Sequence, residues 1–175
     1  MMRKSCAAIA LTVAAVVSGS ISNAAPAHAD EWSDRVLAEH NTARSNHDAR
    51  PLTWSPDTYS AAMEYAQRCV FGHSDTLGRY GENLYISTDL NTGIEDAVAA
   101  WMAESSRYNY EQPVFSLGTG HFTQVVWRAT TQVGAASVIC PAGTIFPQPS
   151  RFIVARYTPA GNVLGQFAEN VGRPE

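Results

Sequence analysis

The hydrophobic period of this chain changes partway along, and that change limits the folds open to it. From Glu31 to about Ser105, apolar residues recur every three or four positions, which is the helical period. Trp32, Val36, His40, Ala43 and His47 mark one face of a helix over residues 31–47. Ser55-Pro56-Asp57 is a helix start, with a Ser N-cap, Pro in the first turn and an early acid. Behind it Tyr59, Ala62, Met63, Ala66 and Cys69 share a face. Thr92-Gly93-Ile94-Glu95 has capping-box spacing and opens a third helix, with Ile94, Ala97, Val98, Trp101 and Ser105 inward. From Phe122 on, the apolar residues fall in short β-branched and aromatic runs, at 122–127, 133–139 and 152–157, which predict strands. Helices first and strands later, with links too short for βαβ crossovers, predict an α+β fold with an antiparallel sheet. The stretch at 80–87 fits a loop or a short strand, and the aromatic linker 108–120 has no clear period.

The N-terminus is set apart from this pattern. Arg3 and Lys4 precede a nearly unbroken apolar run from Cys6 to Val17, and Ala27-His28-Ala29 is a small-x-small cleavage pattern. Residues 1–29 are expected to be a secretory signal peptide; the run is too short to span a bilayer and no second run follows. The remaining 30–175 is expected to form a single domain, exported and extracellular, without a transmembrane segment. Without the leader the chain has no lysine and holds ten arginines against sixteen acids. That balance argues against nucleic acid and against electrostatic docking on anionic membranes. Cys69 and Cys140 are then the two remaining cysteines, and in an exported chain they predict one disulfide. Closing a loop of about seventy residues, it is worth about 4 kcal/mol in the chain-entropy model.

Signatures of common chemistry are missing: no HExxH, GxSxG, P-loop or GxGxxG. What remains is a scatter of imidazoles and carboxylates: His73 in "CVFGHSD", Glu82 between Gly81 and Asn83, Glu104 one turn beyond Trp101, and His121 at the head of the run 122–127. On a strand His121 shares a side with Val125 and Trp127. Two imidazoles and two carboxylates suffice for a divalent ion or for acid–base work. Taken singly, a hydrogen-bonded structural histidine and a solvated or capping glutamate account for them better than a site does, and nothing in the spacing brings the four together. Ser74 reads as orienting a neighbour or capping a turn, His40 and Asn41 as hydrogen-bonding the first helix, His47 as surface, and Trp54, Trp101 and Trp127 as core.

A resemblance adds to this reading. "GHFTQVVWRATTQVGAA" is similar to the long signature of the CAP superfamily, the cysteine-rich secretory, antigen 5 and pathogenesis-related 1 proteins. "EHNTAR" with "PLTW", "CVFGHS", "GENL" and "YTPAGNVLGQF" resemble its other blocks in the same order, from about Trp32 to Phe167. The resemblance implies a three-layer α-β-α sandwich with a central antiparallel sheet. It implies that His73, Glu82, Glu104 and His121 converge in an open cleft, the histidines as ligands of zinc or another divalent cation and the glutamates beside them. It implies a loop for sterols or fatty acids near Tyr108, Tyr110 and Phe115. Ala135 and Ala155 stand where many members carry cysteines paired between adjacent strands, so that bridge is absent as a unit. The long cysteine-rich extension of some members is missing as well, and with it the basis for an ion-channel role. The expected function is an exported small-lipid binding or export module, expected to be a monomer. The alternatives are an effector acting on an extracellular protein partner, and a metal-dependent hydrolase with Glu82 or Glu104 as general base.

Overall fold

The computed structural model describes residues 27–174, with side chains from Glu31 onward. Most of the expected signal peptide therefore lies outside the described residues. Helix α1 (Ala27–Ser45) is followed by the two-residue strand β1 (Thr53–Trp54), helix α2 (Pro56–Ala66), strand β2 (Gly81–Ser87) and helix α3 (Ile94–Met102). A 3-10 turn (Ala103–Arg107) leads through the aromatic linker to helix α4 (Gly120–Val125), then strands β3 (Gln132–Cys140) and β4 (Ser150–Thr158) and the short helix α5 (Phe167–Asn170). The strands lie in the order β1-β3-β4-β2. β4 runs antiparallel to both β3 and β2, and only the stub β1 is parallel to its neighbour.

Alternation along the strands divides the interior in two. Ile153, Ala155 and Tyr157 of β4, with Val133 and Ala135 of β3, face a cluster holding Val36 of α1, Ile94, Val98 and Trp101 of α3, and Phe122 and Val125 of α4. Phe152 and Val154, with Ala136 and Cys140 of β3 and Leu84 of β2, face Ala62, Tyr65 and Ala66 of α2. This is the α-β-α sandwich expected. Helix α2 lies so close to β3 that a Cβ on Gly134 would come within 2.2 Å of the Tyr59 backbone nitrogen, so this contact requires glycine. Arg44 of α1 is fully buried and donates to the carbonyls of Arg50, Val125, Trp127 and Thr130, which ties α1 to the end of α4.

Cys69 and Cys140 are joined, linking the end of α2 to the end of β3. Ala135 and Ala155 are direct cross-strand partners in the β3–β4 ladder, both fully buried. The two positions therefore do lie on adjacent strands, and here packing alone fills the space between them.

Three expectations change and one open reading resolves. Residues 122–127 are not a strand: 120–125 is helix α4, and all six residues from Phe122 to Trp127 are buried. A segment buried on every side carries no periodic signal, so helix and strand cannot be told apart there. The 80–87 stretch is a full strand, β2, paired residue by residue with β4 from Gly81↔Tyr157 to Ser87↔Arg151. The cap of α3 sits one residue later than predicted: Gly93 is the N-cap, and its N–H is held by the Asp96 carboxylate at 2.8 Å. His47 is buried, not on the surface; its Nδ1 donates to the Gly172 carbonyl at 2.9 Å and its ring packs edge-on to Phe122.

Candidate functional site

The four sequence-selected side chains assemble at the start of β2 as two imidazole–carboxylate pairs. Glu104, in the 3-10 turn after α3, is buried and accepts three hydrogen bonds. Its Oε2 takes the backbone N–H groups of His121 (2.9 Å) and Phe122 (3.1 Å), and its Oε1 takes His121 Nδ1 (2.8 Å). The carboxylate thus satisfies two of the N–H groups left open at the N-terminus of α4 and orients the ring carried there. The His121 ring also stacks on Trp101, with centroids 6.4 Å apart and planes 19° apart.

Glu82 anchors the second pair. Its parity on β2 matches Leu84, so it belongs to the α2 side of the sheet, directly opposite Arg156 of β4. Oε1 accepts from His73 Nδ1 (3.2 Å) and from the Ser74 N–H (2.9 Å); Oε2 accepts from Ser74 Oγ (2.5 Å) and from Arg156 Nε and Nη2 (3.3 Å each). Burial alone would raise the Glu82 carboxyl. The hydrogen bonds from His73 and Ser74 and the Arg156 charge outweigh it and hold the group below its ordinary value. Ser74 does orient a neighbour, as read from sequence, and the neighbour is Glu82.

The two rings meet across the sheet edge, with centroids 6.3 Å apart and planes inclined by 32°. Each spends Nδ1 on its glutamate, and among the described residues neither Nε2 has a hydrogen-bond partner. A carboxylate on one ring nitrogen fixes the tautomer that leaves the other nitrogen as a neutral donor of electrons. The donor set therefore fits a divalent ion held by two nitrogens, with its other positions left to water or ligand. It does not fit a closed structural site: among the described residues no group of three or more His, Cys, Asp or Glu could hold an ion.

Three supporting residues were not found from the sequence. Asn83 Nδ2 donates to the His121 carbonyl (3.0 Å) and lies 3.3 Å from Tyr157 Oη. Tyr157 Oη donates to His40 Nε2 (2.9 Å), whose Nδ1 donates to the Val36 carbonyl (2.8 Å). A buried chain of hydrogen bonds thus runs from α1 through β4 and β2 to the backbone of His121. His40, fully buried, is held neutral, its pKa lowered to about 4 chiefly by desolvation. Arg156 is the third; the strand register places it, and periodicity gives no sign of it.

The aromatic linker divides. Tyr108 is buried against Phe122 and Tyr110 packs edge-on to Tyr108, with centroids 5.6 and 4.8 Å apart. Phe115 is 42% exposed, beside Val114 at 64% and Leu117 at 89%. The loop carrying Val163 and Leu164 adjoins it: Asn162 donates to the Gly120 carbonyl and accepts from Thr123 Oγ1. Among the described residues no helix is long and apolar enough to cross a membrane.

Comparison with known proteins gives consistent matches. Residues 37–157 match the model of the cysteine-rich secretory protein family, CAP. The chain is 39% identical over 144 residues to Protein PRY2 of Saccharomyces cerevisiae, covering 81% of this chain and 41% of that protein. It is 37% identical over 153 residues to Golgi-associated plant pathogenesis-related protein 1 of Homo sapiens, covering 83% of this chain and 95% of that one. It thus spans less than half of the yeast protein and nearly all of the human one. Among solved structures, a crystal structure of NaASP2 with Zn2+ superposes with a TM-score of 0.68 at 26% identity, over 89% of this chain and 92% of the other.

Proposed function

The chain belongs to the cysteine-rich secretory protein (CAP) family, and from that premise we propose that it is an exported binding module. Its cleft takes a divalent cation on His73 and His121, and the apolar loop around Phe115 takes a small lipid, a sterol or a fatty acid. The observation that carries the reading is the matched pair of imidazoles, each with Nδ1 fixed by a carboxylate and Nε2 free, 6.3 Å apart. The zinc with which the similar protein NaASP2 was crystallised supports the choice of cation. Bound there, the ion supplies a positive charge and open positions for a ligand oxygen. The chain's own residues do the positioning: Glu104 and Trp101 fix the His121 ring, and Glu82 orients His73.

Binding is favoured over hydrolysis by what the glutamates already do. A general base needs a free lone pair aimed at water. Glu82 accepts five hydrogen bonds, which fills its lone pairs, and Glu104 is buried with three, two of them from the head of α4, so what both carboxylates do here is orient. An extracellular protein partner remains the alternative occupant of the exposed loop.

Two titrations test the reading. Calorimetry of chelator-stripped protein with zinc is expected to show a single saturable site, lost in both His73→Ala and His121→Ala and weakening as pH falls, because the ligands must be neutral. Labelled cholesterol and palmitate are expected to be retained, with affinity falling at least about tenfold in Phe115→Ala. Absence of retention of both lipids by the wild-type protein overturns the lipid half of the proposal.

A further inference from the structure

A cavity of about 520 Å³ opens beside His73, between the outer side of α2 and the segment that leads into β2. Its charged lining is ordered by aromatic rings. The Arg156 guanidinium lies 5.6 Å from the centre of the Tyr65 ring and 5.4 Å from that of Tyr80. Arg68 lies 5.8 Å from Tyr65, and Arg79 lies 5.8 Å from Tyr80. Three guanidinium groups and two phenol rings thus alternate along one cavity, and the rings favour each cation without neutralising it.

The acids nearby leave this charge partly uncovered. Glu64 pairs with Arg68 at 3.0 Å, but both side chains are mostly exposed and such pairs exchange readily with solvent. The Asp75 carboxylate accepts the Leu77 N–H. Among the described residues Arg79 has no carboxylate partner. Arg156 is the most informative. Its side chain is only 10% exposed, and it spends Nε and Nη2 on Glu82 and Ser74. Its Nη1 has no hydrogen-bond partner among the described residues, and it is not among the buried atoms sealed from solvent. An anchored guanidinium with two spare N–H groups, lining a cavity shared with two further arginines, is a receptor for a tetrahedral oxyanion.

We propose that this cavity binds a phosphate or sulfate ester group, with Arg156 Nη1 as the inner donor and Arg68 and Arg79 as the outer ones. The site sits on a chain whose formal net charge is −4, so the attraction is local and not a property of the whole surface. It does not require a metal ion in the neighbouring cleft.

The test uses the full chain in the presence of chelator, with inorganic phosphate as the first probe. The side-chain Nε–H resonances of Arg68, Arg79 and Arg156 are followed by NMR. The expected result is saturable shifts of all three, with affinity reduced at least about tenfold in Arg68→Gln/Arg79→Gln. Both positions are exposed, so the double variant keeps the fold. Glycerol 3-phosphate and vesicles of phosphatidylcholine with phosphatidic acid separate the two sources of such a group. Competition by the soluble ester alone assigns a free phosphate ester, and vesicle retention that the double variant loses assigns a lipid headgroup. Shifts reproduced by sodium chloride at equal ionic strength, or unchanged in the double variant, overturn the proposal.

Discussion

His121 and His73 make the same contact, Nδ1 to a glutamate, but on different foundations. The His121 side is built into the fold: its ring is 31% exposed, its partner Glu104 11%, and the carboxylate also closes the N-terminus of α4. The His73 side inverts this. Glu82 is 4% exposed and fixed by Ser74 and Arg156, while the His73 ring is 61% exposed at 3.2 Å from it. One half of the site is therefore a rigid ring on a rigid carboxylate, and the other is a loosely held ring on a rigid carboxylate. The difference teaches where stability and binding part company. On the proposed reading the inner pair would serve both, whereas the outer ring would serve binding alone.

Removing Glu104 is the strongest way to test this contrast. Glu104→Ala leaves two backbone N–H groups at the head of α4 without their acceptor, and is expected to cost about 3 kcal/mol, read from the midpoint of urea unfolding. A loss below about 1 kcal/mol would show that the inner pair is not structural.

Acid probes the same side through His40. Its folded pKa of about 4 lies below the ordinary 6.5, so between these values the unfolded chain binds a proton that the folded chain does not. Stability is then complete above pH 6.5 and falls as pH drops toward 4, by up to about 3 kcal/mol. The depressed Glu82 carboxyl contributes stability above its ordinary 4.5 and loses it only below that, so the slope between pH 6.5 and 4.5 reports on His40. Replacing His40 with Gln should flatten that slope in denaturation curves recorded across the range.

The smallest effect is expected at the outer ring. His73→Ala should change stability by less than about 0.5 kcal/mol while abolishing cation binding. A larger destabilisation would remove the contrast between the two halves.

Much of this architecture was legible in the chain. Helical period marked α1, α2 and α3, because each keeps one polar face; β3 and β4, buried on both faces by the two clusters, were marked by their short β-branched and aromatic runs bounded by turn residues. Helix α4 was misread because burial on all sides erases the period and its cap, Glu104, comes from seventeen positions away. Ordered sequence blocks selected the four site residues, although their spacing did not. Asn83, Tyr157 and Arg156 escaped notice for one reason: each acts through register. Glu82 faces Arg156 only because β2 pairs with β4, and no local pattern encodes that pairing.

The seam on which the two rings sit has a mechanical consequence. Glu82 and His73 belong to the layer packed on α2, and Glu104 and His121 to the layer packed on α3 and α4. Whatever is gripped by both imidazoles acts as a brace between cores that otherwise share only the sheet. Its binding free energy becomes resistance to their separation, and hydrogen exchange should slow on both faces of the sheet, far beyond the residues that are touched.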